Sequence, residues 1–171
     1  MSAGSTTTIS DAHIRELEPM LFRFALRAVR NQDLAHDLVQ DALLAAIAQC
    51  ASFDGRSTRR TWVVGILSHK VLDHFRRQKV RGYEDDHEAA LIAVPSAEDV
   101  ERVVAARHDL RAVDRALGQL SELERMALLM VDVEGIDREE TCSALGLSAT
   151  HLRVLLHRAR NRLRRLLEKP Q

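Results

Sequence analysis

The residues best placed to do chemistry lie near the end of the chain. Between Ala149 and Arg165 stand Arg153, Arg158, Arg160, Arg162, Arg164 and Arg165, directly after Gly146-Leu147-Ser148, in a chain of 171 residues whose 25 Lys and Arg balance 25 Asp and Glu. A guanidinium offers a fixed fork of donors that suits phosphates and base edges, so a cationic helix opening after a tight turn points to nucleic acid. The leucines of this segment, Leu152, Leu155, Leu156, Leu163 and Leu166, fall with Ala159 on one stripe at 3.6 residues per turn. The opposite side carries Thr150, Arg153, Val154, His157, Arg160, Asn161 and Arg164. Upstream, Asp137 and Glu140 have the spacing of a capping box that opens a short helix to Leu145, and Ser148 caps the next one. The pattern predicts a helix-turn-helix. Near the start of its second helix Thr150, Arg153, Val154 and His157 are the candidates to meet bases, with Ser148 and His151 beside them in the DNA contact, and Arg158, Arg160, Arg162, Arg164 and Arg165 are those to hold the backbone.

Other chemistries find no support. The pairs His69/His74 and His151/His157 miss the i, i+4 spacing of a helical metal pair, and Cys50 and Cys142 stand far apart. The sequence predicts neither a glycine-rich phosphate loop nor a Ser or Cys nucleophile with a local signature. We therefore expect no catalytic residues, no metal and no cofactor. Cys142 reads as small core filler, and unpaired cysteines fit a reduced, cytoplasmic setting. The opening MSAGSTTTIS lacks the pattern of a signal peptide and reads as a disordered start over 1–10, and no segment predicts membrane insertion.

The elements that must position these residues are helical throughout. Leu17, Leu21, Phe24 and Ala28 mark a helix from about Asp11 to Arg30, and Asn31 to Asp33 breaks it. In the next helix Leu34, Leu38, Ala42 and Ala45 recur, while Asp37, Gln40 and Asp41 gather on another face. Asp54-Gly55 predicts a turn, Ser57 or Thr58 a cap, and Trp62, Ile66, Leu67, Val71 and Phe75 a third helix to Arg77 with its cations crowded at the end. Trp62 reads first as packing; Phe53 fits either core or ligand contact. Glu84 to Glu101 contains seven acidic residues, no Lys or Arg, and Pro95. That stretch predicts a flexible acidic linker over 82–104 between a module at 11–81 and one at 105–171. In the latter, Leu110, Val113, Leu117 and Leu120 form one stripe. Ser121 with Glu124 makes a capping box, and Leu123, Met126, Ala127, Met130 and Val133 continue to a stop at Glu134-Gly135. The expected fold is all-α: two small helical domains, the second a helix-turn-helix.

Taken together, AHDLVQDALLAAI, RTWVVGILSHKVLDHFRR and the run from LSELERMALLM to LRRLL resemble bacterial sigma factors of the small extracytoplasmic-function group. The resemblance implies a non-enzymatic subunit that binds core RNA polymerase through its β and β′ subunits and directs transcription initiation. It places the polymerase contact on Asp37, Val39, Gln40 and Asp41. It places the minus-10 DNA contact on Phe53, Arg56, Ser57, Thr58, Lys70, Arg76 and Arg77, with Asp73 orienting the arginines, and the minus-35 contact on the last helix. An inhibitory anti-sigma partner is implied as well. Lys70 stands where the group usually has Asn, exchanging an amide for a donor-only cation. The runner-up reading is a stand-alone helix-turn-helix regulator binding duplex as a dimer, which would have no use for the first module; a partner-sequestering helical protein is a third.

Overall fold

The computed structural model describes residues 11–81 and 111–168. The predicted disordered start, the linker at 82–104 and Leu110 lie outside the described residues.

Short polar side chains decide where the helices begin. The first helix, α1 (Asp11–Val29), runs to Arg30, whose φ of 59° turns the chain. Asn31 then accepts the amide of Leu34 at 2.9 Å and starts α2 (Gln32–Ala48). One 3₁₀ turn, Cys50–Ser52, leads to the Asp54-Gly55 turn, where Gly55 takes φ 74°. Thr58, one of the two predicted caps, accepts the amide of Thr61 at 3.1 Å and opens α3 (Arg59–Arg81), which runs a turn past the expected end at Arg77. The predicted stripe of α1 is buried at Leu21, Phe24 and Ala28, against Leu38, Val39, Ala42 and Leu43 of α2 and Val63, Val64, Leu67 and Val71 of α3.

The second module opens with helix α4, described over 111–118. Ser121 and Glu124 cap α5 (Glu122–Leu128) reciprocally, as the spacing predicts. The helix then widens into a π turn, Leu129–Val133, closed by the amide of Glu134 on the Leu129 carbonyl at 2.9 Å. The widening rotates the last residues, so Val133, expected in the apolar stripe, is 47 % exposed. Asp137 caps α6 (Arg138–Leu145) through the amide of Glu139 at 2.7 Å, a simple Asp cap in place of the expected box with Glu140. Gly146 ends α6 at φ 65°, a conformation that a Cβ disfavours, and Ser148 caps α7 (Ala149–Leu167) through His151. Leu152, Leu156 and Ala159 of α7 are buried, with Leu155 and Leu163 packed against the same core.

The two modules are in contact, and one apolar core runs through both. On α3, Gly65 faces Ala144 of α6, and the Ser68 hydroxyl lies 3.5 Å from the Met130 sulfur. Arg125 of α5 is buried, and its guanidinium sits 5.8 Å above the Phe75 ring. Ion pairs cross the same seam: Arg30 with Asp114 at 3.5 Å, Lys79 with Glu122 at 3.1 Å, and Arg60 with Glu134.

Candidate nucleic-acid interface

The turn at Gly146 aims the start of α7 outward, and the packed leucines hold the helix by its other side. All eleven predicted residues there, Ser148, Thr150, His151, Arg153, Val154, His157, Arg158, Arg160, Arg162, Arg164 and Arg165, are exposed. Val154, 39 % exposed between Arg153 and His157, places an apolar side chain on this cationic surface. The His157 Nε2 lies 2.9 Å from the Asn161 amide nitrogen, which orients the ring.

The arginines divide into two sets. Arg160 grips Asp132 with both nitrogens, Nε at 2.9 Å and Nη2 at 2.6 Å, and that hydrogen-bonded carboxylate raises its already high pKa further. Arg162 comes within 3.9 Å of Glu124, and Arg165 donates to the Asn161 carbonyl at 3.3 Å. By contrast Arg153, Arg158 and Arg164 carry no ion pair among the described residues and are the cations open to an incoming phosphate or base.

The sites predicted on the first module form two surfaces. On α2, Asp37, Gln40 and Asp41 are exposed together. Val39 is 2 % exposed and belongs to the core, which corrects its expected place in this contact: α2 packs against both α1 and α3, and so buries an arc wide enough to take in Val39 beside Leu38. Sequence reading missed Leu44, 64 % exposed, seven residues beyond Asp37 on the same side, and Ile47, 44 % exposed, near it. An apolar residue continuing a polar stripe at i+7 is the signal that was available.

The second surface combines the 51–58 loop with α3. Phe53 lies against Trp62, ring centroids 5.3 Å apart and tilted by 50°, and both are half-buried. Asp54 is tied to Arg56 through its backbone amide at 3.1 Å and its guanidinium, and these bonds hold the Asp54 carboxyl below its usual range. Ser57 is half-buried, and the Thr58 hydroxyl is committed to the helix cap. Along α3, Lys70 and Arg77 are seven residues apart and share a face turned away from Gly65, Ser68 and Phe75, hence away from the second module. Arg76 is angled off that face and pairs with Asp73 at 2.9 Å, as expected of an orienting carboxylate.

This geometry has close counterparts. Residues 13–81 match the model of sigma-70 region 2, and residues 110–163 that of sigma-70 region 4. The chain belongs to the sigma-70 family. Among its relatives, a probable RNA polymerase sigma factor of Haemophilus influenzae is 28% identical over 94% of this chain and 91% of its own. The ECF sigma factor SigX of Bacillus subtilis is 26% identical over 86% and 78%. The sigma factor RpoE of Bartonella quintana, solved in complex with the anti-sigma factor NepR, superposes with a TM-score of 0.73 at 26% identity, covering 94% of this chain and 97% of that one. The protein is an RNA polymerase sigma factor of the ECF type. Region 2 coincides with α1 to α3 and region 4 with α4 to α7, so both modules are accounted for. A stand-alone helix-turn-helix regulator would leave residues 13–81 unexplained.

Proposed function

We propose that this sigma factor divides promoter binding between its modules, residues 11–81 serving the polymerase and the minus-10 element and 105–171 the minus-35 duplex, with 82–104 as the tether. On α2, Asp37, Gln40 and Asp41 meet core polymerase through polar contacts, and Leu44 supplies the apolar centre that such an interface needs. Phe53, Arg56, Ser57 and Thr58, with Lys70, Arg76 and Arg77, engage the minus-10 strand; the Phe53–Trp62 pair offers a ring for an unstacked base, and the cations hold the backbone. On α7, Thr150, Arg153, Val154 and His157 read base edges, while Ser148, His151, Arg158 and Arg164 meet the backbone and Arg160, lying on the same surface, is held back from it by Asp132. No step of this work is catalytic in this chain, and it takes place in the cytoplasm, where the polymerase is. An anti-sigma factor, as bound to the Bartonella relative, restrains it.

The observation that carries this reading is the pairing of an exposed acidic and apolar stripe on α2 with an exposed cationic helix after a capped turn, both within matched sigma-70 regions. The test is reconstitution: the chain is mixed with core polymerase, passed through gel filtration and assayed for run-off transcription, with start sites mapped and both elements footprinted. Co-elution with promoter-dependent transcripts is the expected result. Duplex binding as a dimer without polymerase would instead favour the stand-alone regulator.

A further inference from the structure

Asn161 stands among the arginines of α7 and is itself uncharged. It follows Val154 by seven residues, so the two lie on one line of the helix, opposite the buried Leu152, Leu156 and Ala159. Exposed cations flank that line along its length, Arg153, Arg160 and Arg164 on one side and Arg158, Arg162 and Arg165 on the other. A helix cationic on both flanks suits a groove walled by two phosphate backbones, with the line between the flanks turned to the bases.

The half-buried Asn161 side chain is committed at one end. Its Nδ2 donates to His157 Nε2 at 2.9 Å. A ring nitrogen that accepts carries no proton, so the neutral imidazole keeps its proton on Nδ1. Neither His157 Nδ1 nor Asn161 Oδ1 has a partner among the described residues. The pair therefore offers an incoming base one donor, on His157, and one acceptor, on Asn161. Protonation reverses the second of these. With both ring nitrogens protonated, Nε2 is a donor, and the amide keeps the bond only by turning over so that Oδ1 accepts and Nδ2 is presented instead. Adenine N6 and cytosine N4 are donors that fit the first arrangement; guanine O6 and thymine O4 are acceptors that fit the second. His157 is exposed, with Arg153 and Arg160 one turn away on α7. Of the elements packed on that helix, α5 and its π turn direct Glu124 to Arg162 and Asp132 to Arg160, and no charged side chain of α6 is paired with α7 among the described residues. Resting on the minus-35 role given to α7 above, we propose that Asn161 is a further specificity residue, and that His157 sets which end of its amide the base meets: amino bases when the imidazole is neutral, keto bases when it is protonated.

The test uses holoenzyme and a promoter pool randomised over the minus-35 element, selected for binding and sequenced at about pH 8 and about pH 5.5, on either side of the range in which imidazoles titrate. At one position the parent should favour A or C over G or T several-fold at the higher pH, the worth of one hydrogen bond, and the preference should reverse at the lower. Asn161→Ala should erase the preference at that position at both pH values and leave the other positions as they were. Asn161→Asp, an acceptor in either state, should keep A or C throughout, and His157→Gln should abolish the dependence on pH. Imidazole nitrogen chemical shifts of the free chain give a readout that needs no DNA: the Nδ1-protonated tautomer in the parent at the higher pH, and a mixture of tautomers in Asn161→Ala. A parent whose preferences do not move with pH, or an Asn161→Ala chain that loses affinity for all sequences alike, would overturn the proposal. Holoenzyme that selects no minus-35 sequence, beside the expected tautomer, would instead sink the promoter assignment and leave the bond between Asn161 and His157 standing.

Discussion

Asp132 holds Arg160 with both carboxylate oxygens, at 2.6 and 2.9 Å, across 28 positions of sequence and from the π turn of α5 to the middle of α7. The π turn makes this possible: it swings Asp132 toward α7 at the cost of exposing Val133. Arg160 is thereby fixed in direction and neutralised, unlike Arg153, Arg158 and Arg164 on the same helix. Asp132→Asn should free one cation and delete one charge that repels DNA. Affinity for a minus-35 duplex is expected to rise a few-fold, and the slope of log K against log salt to steepen by about 0.9, the contribution of one further phosphate contact. Fluorescence anisotropy at several salt concentrations measures both; a slope equal to the parent's would show that Arg160 stays away from the backbone.

Arg153 and Arg164 are both exposed and carry no ion pair among the described residues, yet their places along α7 separate their roles. Arg153 stands in the first turns, where base edges are within reach, and Arg164 three turns further on. Arg153→Ala should cost about 1–3 kcal/mol on the preferred sequence and relax preference at one base position. Arg164→Ala should weaken all sequences alike and lower the salt slope by about one. Binding to a panel of single-base duplex variants distinguishes these outcomes, and a uniform loss for Arg153→Ala would remove it from the readers.

What was legible in the sequence was what neighbours in sequence determine. Ser121 with Glu124, Thr58 before α3 and Ser148 before α7 act within three residues of themselves, and each caps where its spacing says. The apolar stripes of α1 and α7 likewise needed only the helical period. Val39 was misplaced because its burial depends on α2 having two neighbours, which no single stripe reveals. Gly118 carries no local signal, because the side chain that needs its bare backbone is Arg30, 88 positions earlier. Helix widening at Leu129–Val133 escaped notice because it leaves the 3.6 period intact on either side, and the intermodule pairs escaped because charges far apart in sequence have no spacing to read.

Val39 and Leu44 offer opposite outcomes from one helix. Val39→Ala opens space in a closed core and should lower stability by about 1–3 kcal/mol, seen as a fall in Tm, while the polymerase-facing surface stays unchanged. Leu44→Ser removes apolar area that already faces solvent, so Tm should move little. Binding to core polymerase should nevertheless weaken by about tenfold, the loss expected of one apolar anchor at an interface centre. Titration of labelled chain with core polymerase, beside a thermal melt, reads both. Unchanged affinity for Leu44→Ser would confine the contact to Asp37, Gln40 and Asp41.

On α3 the face shared by Lys70 and Arg77 makes the sharpest claim about the minus-10 strand. Both cations are turned from the second module, whereas Arg76 is angled elsewhere and already engaged by Asp73 at 2.9 Å. Lys70→Ala and Arg77→Ala should each reduce binding of the holoenzyme to a single-stranded minus-10 probe and flatten its salt slope by about 0.7, the value for one phosphate on a single strand. Arg76→Ala should do less than either, because losing a paired cation also removes the carboxylate's partner and returns little net charge to the surface. Phe53→Ala should act differently again, lowering affinity without changing the salt slope, since a ring contributes stacking and no charge. If Arg76→Ala proves the most damaging of the four, the strand runs along the Asp73 side of α3, and the Lys70–Arg77 face is not where the promoter lies.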